Sequence, residues 1–223
     1  MKYPSLDEEK KLWKKGYKRV VCLDEVGRGA VAGPVVAAAV SLKKGLRLKI
    51  FDLKDSKKLS PKKREEIYNF IVKNPKIEWG IGKVSEKRID KINILEATKL
   101  AMKKALKNLE RKIKKQRFKK IDYLILDGNL KLDLLIPQKS IIKADEKVFS
   151  CTLASVIAKV TRDRIMKKIA QKLPQYRFEK HKGYLTKSHL KLIKKYGPST
   201  FHRKTFFPIN VQIKSNFFKK TLC

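Results

Sequence analysis

Acidic residues are scarce in this chain. Its 223 residues hold 21 Asp and Glu against 57 Lys and Arg, a formal net charge of +36. That excess predicts attraction to polyanions, nucleic acid first and anionic membrane second. The lysines run through the whole chain rather than gathering in a tail, and a lysine-rich genome or adaptation to heat gives the same composition. Cysteine is sparse too. Cys22, Cys151 and Cys223 lie far apart with no CxxC pair, which argues against a structural zinc. Cys22 falls in an apolar strand pattern and Cys151 in a helical one, where a thiol is usually a small buried hydrophobe. The histidines, His181, His189 and His202, lack zinc-ligand spacing and read as surface or satisfied residues.

No apolar run approaches the roughly 18 to 20 residues that span a bilayer, so no membrane segment is expected. Met1 to Lys15 mixes acids with lysines and has no apolar core, unlike a secretory signal. A soluble, cytoplasmic protein is expected. Repeats and low-complexity segments are missing, and 42% hydrophobic residues suffice for the core of one sizeable domain.

What is present alternates. Ser5-Leu6-Asp7-Glu8 reads as a capping box opening a short helix through Lys15, with Trp13 as its anchor. Val20 to Leu23 is an apolar run of the kind buried on both faces of a sheet, ending on Asp24-Glu25. A flexible Gly27-Arg28-Gly29 loop follows. Val35 to Leu42 is a second strand, whose three alanines imply tight packing. Ser60-Pro61 starts a helix to about Val72. Trp79 to Val84 is a third strand, and Ile92 to Lys115 a long amphipathic helix. Ile121 to Leu126 is a fourth strand ending on Asp127, and Ser140 to Lys143 a fifth running into Asp145. A helix from Val148 to Leu173 follows, with Leu153, Val156, Ile157, Val160, Ile165 and Ile169 on its apolar face. Asp163 beside Arg162 suggests a helix-surface ion pair. Thr186 or Ser188 caps a last helix that stops at Gly197-Pro198. Phe206 and Phe207 are expected to fill a core or support a tail. Strands alternating with helices predict an α/β sheet covered on both faces.

In a chain this basic, acids at strand ends need a reason. In α/β sheets the carboxyl edges of neighbouring strands converge on ligands, so Asp24, Glu25, Asp127 and Asp145 can meet in space. Four carboxylates suit hard divalent cations such as Mg²⁺, and two such ions favour phosphoryl displacement. The alternative is that acids cap helices and bound turns, as they do in most proteins. The Gly27-Arg28-Gly29 loop adds a place where backbone and a guanidinium can approach phosphate. Lys57 and Lys58 can bind phosphate or simply be solvated.

These residues carry a resemblance. Asp24-Glu25-Val26-Gly27-Arg28-Gly29-Ala30-Val31-Ala32-Gly33-Pro34-Val35-Val36 resembles the leading motif of bacterial-type ribonuclease HII, and Asp55-Ser56-Lys57-Lys58-Leu59-Ser60 its second block. Asn93-Ile94 with Ala97 and Ala101-Met102 is similar to its central helix, and Leu126-Asp127-Gly128-Asn129 to its next strand end. Lys143-Ala144-Asp145, Ala154 to Asp163, His181-Lys182-Gly183-Tyr184 with His189, and Gly197-Pro198 with His202-Arg203 and Phe206 continue the match. In order, it runs from about Gly16 to Pro208.

The resemblance implies a ribonuclease H-like fold, a mixed five-stranded sheet flanked by helices with a helical C-terminal part. The implied domains are a short N-terminal helix (1–17), the catalytic domain (18–208) and a basic tail (209–223). The related type III enzymes carry an extra N-terminal domain, for which residues 1–17 are too few. The implied activity is hydrolysis of the RNA strand of RNA–DNA hybrids. Incision 5′ to ribonucleotides embedded in duplex DNA is implied as well, leaving 3′-hydroxyl and 5′-phosphate, as in ribonucleotide excision. Asp24, Glu25, Asp127 and Asp145 match the family's catalytic metal ligands, for Mg²⁺ or Mn²⁺. Gly27, Arg28 and Gly29 match the loop that senses the ribose 2′-hydroxyl, and Tyr184 the tyrosine that stacks on the following sugar. One departure stands beside it: the family usually has glycine after that tyrosine, and this chain has Leu185. The implied partners are hybrids and ribonucleotide-containing DNA, with no membrane and a monomeric enzyme. An integrase- or resolvase-like nuclease of the same fold would need no 2′-hydroxyl, and a non-catalytic RNA-binding protein would need no magnesium.

Overall fold

The computed structural model describes residues 4–44, 59–114 and 120–211. Cys223, Lys57 and Lys58, with most of the Asp55–Ser60 block and of the basic tail, lie outside the described residues. Five strands form: β1 (Val20–Val26), β2 (Val35–Leu42), β3 (Ile77–Val84), β4 (Tyr123–Asp127) and β5 (Gln138–Ile141). The first four overlap the expected runs, whereas the fifth, expected over Ser140 to Lys143, lies two residues earlier because Ile142 and Lys143 turn out of the sheet, Lys143 with a left-handed φ of 57°. They make one mixed sheet in the order β3-β2-β1-β4-β5. β1 is antiparallel to β2, parallel to β4, and β4 is parallel to β5.

The strand β1 is longer than its apolar run. Asp24 and Glu25 lie inside it, because β2 keeps pairing past them to Val26 opposite Val36. Eight buried residues of β2 include the three alanines. Small side chains there admit α5 (Phe149–Lys172): Ala38, Val40 and Leu42 cluster with Leu153, Ala154, Ile157 and Val160. Each larger aliphatic side chain withdrawn from water contributes about 2 kcal/mol. The strand β3 uses another device. A Cβ on Gly80 or Gly82 would collide with backbone atoms of Ala101, Ala105 and Leu109, so the glycines let α3 (Glu86–Ile113) lie directly on the strand.

The helix α3 begins earlier than expected and is interrupted at Asn93, whose φ is 62°. The Asn93 Oδ1 accepts from the Glu96 N–H at 3.1 Å, restarting the helix as an asparagine cap does. In α2 (Pro61–Lys73), Ser60 caps as expected, accepting from Lys63 N–H at 3.2 Å. The capping box does not form in α1 (Asp7–Lys14). Ser5 bonds Asp7, not Glu8, because its backbone is taken up in a parallel bridge with Val148. Instead Glu9 is buried and accepts from the N–H and hydroxyl of Ser150, in the first turn of α5.

The chain divides into two compact units that do not follow chain order. One takes Met1–Val26, Val36–Lys83 and Lys99–Val160, and the other Gly27–Val35, Val84–Thr98 and Thr161–Cys223. The first contains the sheet. The second has its own core, with Ala32, Met166, Ile169, Tyr176 and Phe178 in one cluster and Val31, Ile193 and Ile209 in another. Half-buried Phe206 packs on the latter, while Phe207 is 72% exposed and fills no core. After α6 (Phe178–His181), helix α7 (Lys187–Tyr196) starts on Thr186, which accepts from His189 N–H, and ends at Gly197 with φ of 71°. No helix among the described residues is long and apolar enough to cross a membrane.

Candidate active site

The first unit gathers the four acids by sheet register. Leu23 pairs with Leu126 across the parallel strands β1 and β4, so the next residues, Asp24 and Asp127, leave the same edge about 4.8 Å apart in backbone. Beyond β5, Lys143 takes a left-handed conformation (φ 57°) and turns the chain into α4 (Ala144–Lys147), whose second residue is Asp145. The Asp127 carboxylate accepts from the Ala144 N–H at 2.6 Å, which ties β4 to this turn. Asp24 and Asp145 are buried; Glu25 and Asp127 are half-buried.

Asp24 carries the electrostatic signature of the cluster. Its carboxyl is held well above the usual range, first by burial, then by the charges of Glu25, Asp127 and Asp145. A hydrogen bond from Ser155 on α5 pulls the other way, and the Glu25 N–H donates to Asp24 Oδ1 at 2.7 Å. Like charges that perturb one another this way are the arrangement a cation relieves. As a donor set, four carboxylates fit a hard, oxygen-preferring divalent ion. Among the described residues no three of these side chains stand as a ready-made cage. Asp24 and Asp127 instead turn carboxylate oxygens to backbone N–H groups.

The second unit holds the other expected residues. Gly27 has φ of 93°, and a Cβ there would strike the guanidinium of Arg162. Arg28 and Gly29 are exposed, and a Cβ on Gly29 would meet nothing within 4 Å. Gly27 is thus required by this chain's own packing, whereas Gly29 is not. Tyr184 is half-buried, with the Arg162 guanidinium carbon 5.3 Å from its ring centroid. Leu185 is 41% exposed.

Two arginines to which the sequence assigns no part in the site shape these segments. Arg162 was expected in a surface ion pair, but it is fully buried. It donates to the carbonyls of Pro34 (2.9 Å), Ala32 (3.0 Å) and Lys182 (2.8 Å). Arg203, also fully buried, donates to Gly27 (2.6 Å), Arg28 (2.8 Å) and Gly33 (2.9 and 3.0 Å). Burial, and then Arg162, push its pKa down to about 9. A signal existed for Arg162. It lies four residues after Ala158 and three before Ile165, on the apolar face of α5. The three histidines are buried, which decides between the two readings offered for them: they are satisfied rather than superficial.

The chain is similar to known proteins along most of its length. A family model described as Ribonuclease HII matches residues 21–208. A protein named Ribonuclease HII from Chlamydia trachomatis serovar A is 44% identical over 215 residues, covering 94% of each chain. Among solved structures, ribonuclease H2 from Pyrococcus horikoshii OT3 aligns with a TM-score of 0.67 at 24% identity, covering 90% of this chain and 99% of that one. Bst-RNase HIII, solved in complex with Mn²⁺, aligns with a TM-score of 0.67 at 19% identity, covering 88% of this chain and 70% of the other. At these identities the two structures speak for the fold.

Proposed function

The chain belongs to the ribonuclease HII family, and we propose that Asp24, Glu25, Asp127 and Asp145 hold the divalent cations of its active site. It is a metal-dependent endoribonuclease that hydrolyses the RNA strand of RNA–DNA hybrids and incises duplex DNA 5′ to embedded ribonucleotides, leaving 3′-hydroxyl and 5′-phosphate ends. The observation that carries the assignment of the acids is geometric: the pairing of Leu23 with Leu126 sets Asp24 beside Asp127, and the Ala144 N–H bond to Asp127 draws in the turn that bears Asp145. The Asp24 carboxyl, raised first by burial and then by the charges of the other three, supports it.

When bound, such ions activate a water molecule and neutralise charge on the departing 3′-oxygen. The residues' own tasks follow from where they sit. Asp24 and Asp145, buried, supply oxygens that solvent reaches poorly, so their charge acts at low effective dielectric. Ser155 and the Glu25 N–H fix the Asp24 carboxylate, and the Ala144 N–H fixes that of Asp127. Mg²⁺ or Mn²⁺ is the proposed cofactor, in keeping with the all-oxygen donor set and with the Mn²⁺ bound by the type III relative.

For substrate, Gly27, Arg28 and Gly29 are proposed to sense the ribose 2′-hydroxyl, and Tyr184 to stack on the sugar that follows. The exposure of Arg28 and Gly29, and the open space over Gly29, support a backbone that a ligand can approach. The +36 charge supports binding through phosphates with little regard for base sequence. A monomer working in the cytoplasm completes the proposal; sedimentation of the free protein tests the first part. The deciding assay is a DNA duplex with one ribonucleotide, incubated with and without Mg²⁺. Cleavage at the ribonucleotide only with metal, lost in Asp127→Asn, is expected. Equal cutting of an all-DNA duplex would favour a resolvase-like nuclease instead.

A further inference from the structure

Lys182, Gly183 and Tyr184 make a tight turn, with φ of 52° at Lys182 and 81° at Gly183. Two successive left-handed residues, one of them not glycine, need outside support. Three buried histidines provide it, and their hydrogen bonds fix every imidazole proton. Since a backbone N–H can only donate and a carbonyl only accept, the directions follow without ambiguity.

The Ser199 N–H donates to His202 Nδ1 at 2.8 Å, so the His202 proton is on Nε2. That Nε2–H faces His189 Nε2 at 3.1 Å, which must then be the acceptor. The His189 proton is therefore on Nδ1, where it donates to the Tyr184 carbonyl at 2.9 Å. Alongside, the Gly183 N–H donates to His181 Nδ1 at 3.2 Å, and His181 Nε2–H donates to the Tyr176 carbonyl at 2.8 Å. His181 stacks on His189 with centroids 3.9 Å apart, and Phe178 meets both edge-on. A second proton on His189 Nε2 or on His181 Nδ1 would face another donor, while at His202 Nδ1 the Ser199 hydroxyl lies 2.8 Å away beside the Ser199 N–H. Burial also lowers the proton affinity of each.

The relay ends on one residue. The Tyr184 N–H donates to the His181 carbonyl, and the Tyr184 carbonyl accepts from both the Thr186 N–H and His189. Its neighbour Gly183 offers a carbonyl to the N–H groups of Val31 and Ala32. With the backbone held, only the Tyr184 ring remains to be used.

We propose that His189, through the Tyr184 carbonyl, is a positioning residue for recognition of the embedded ribonucleotide, the final link of a one-way relay Ser199–His202–His189–Tyr184. The proposal rests on the reading of Tyr184 as the sugar-stacking residue, and the experiment separates the two. An asparagine amide reaches the place of the imidazole Nδ1, and a glutamine amide that of Nε2. His189→Asn thus keeps the donor to Tyr184 and loses His202, while His189→Gln does the reverse. Wild type, both variants and Tyr184→Ala are compared for kcat and KM on a duplex with one ribonucleotide and on a continuous hybrid, with thermal midpoints.

The expected result is similar loss of stability in both histidine variants but a split in catalysis. His189→Gln should lose about tenfold or more in kcat on the single ribonucleotide, as should Tyr184→Ala, since sub-ångström misplacement acts on this scale. His189→Asn should retain most of its kcat. Equal catalytic loss in Asn and Gln overturns the proposal and leaves the relay merely structural. No loss in Tyr184→Ala overturns the reading of Tyr184, and the proposal with it. Nitrogen-15 NMR of the wild-type imidazoles supplies a check that needs no variant: a proton on His189 Nε2, or on Nδ1 of His202 or His181, would overturn the relay whatever Tyr184 does.

Discussion

Asp127 Oδ1 accepts a hydrogen bond from the Ala144 N–H at 2.6 Å, so the acid that ends β4 grips the residue just before Asp145. One short bond thus joins two acids that lie 18 positions apart in the sequence. An asparagine at 127 can accept the same bond through its amide oxygen while removing one of the charges that raise the Asp24 carboxyl.

Asp127→Asn should therefore abolish cleavage and leave the fold intact. In EDTA its thermal midpoint should equal or exceed that of the wild type, because repulsion among four carboxylates is relieved. Turnover close to wild type would remove Asp127 from the active site.

The charge of +36 makes its own forecast. With Asp127→Asn used to bind without cutting, the logarithm of affinity for a ribonucleotide-containing duplex should fall linearly with the logarithm of salt, with a slope near −0.9 for each phosphate neutralised. A slope near zero would mean that the lysines are solvated rather than engaged.

Arg203→Lys tests the buried guanidiniums. Arg203 spreads hydrogen bonds over the carbonyls of Gly27, Arg28 and Gly33, a fork that one ammonium cannot reproduce. The burial that takes this arginine to about 9 also drives a lysine, ordinarily near 10.4, towards its neutral form. A loss of roughly 3 kcal/mol in stability is expected, with weaker discrimination between ribonucleotide-containing and all-DNA duplexes. Unchanged urea midpoint and unchanged discrimination would show that the loop shapes itself.

Acid should loosen the second unit. Burial, foremost, brings His189 down to about 3 and His202 to about 4 from 6.5. A depressed folded-state pKa means that the unfolded chain binds protons the folded one refuses. The contribution is complete above pH 6.5 and declines as pH falls towards the folded values, at about 1.4 kcal/mol per pH unit for each histidine. Asp24, with its pKa raised, acts in the opposite sense and gains as pH falls. Urea unfolding at pH 7 and pH 5 should therefore lose roughly 2 kcal/mol for each histidine, less the Asp24 share, and His189→Asn should show a shallower decline. An equal decline in that variant would assign the acid sensitivity elsewhere.

Much of the secondary structure in both units is written locally in the chain. Apolar runs of strand length, a Ser60-Pro61 start and a Thr186 cap are local signals, legible because each is written within a few residues. The acids are visible in sequence as strand-end residues, but that β1 and β4 are parallel neighbours, which sets Asp24 beside Asp127, is a property of the sheet order. Ser5 departs from its local capping pattern because a long-range bridge to Val148 outweighs the cap. Glu25 and Asp24 were read at a strand end, whereas the partner β2 carries the strand through them.

What Arg162, Arg203 and the histidines do follows from long-range packing alone. The Arg203 bond to Gly27 spans 176 positions and the Arg162 bond to Pro34 spans 128, and neither leaves a periodic trace. Their partners are backbone carbonyls, which every residue has, so no side-chain pattern announces them. A buried charge or imidazole is stable only where specific acceptors surround it. Which acceptors those are is settled when distant segments pack together.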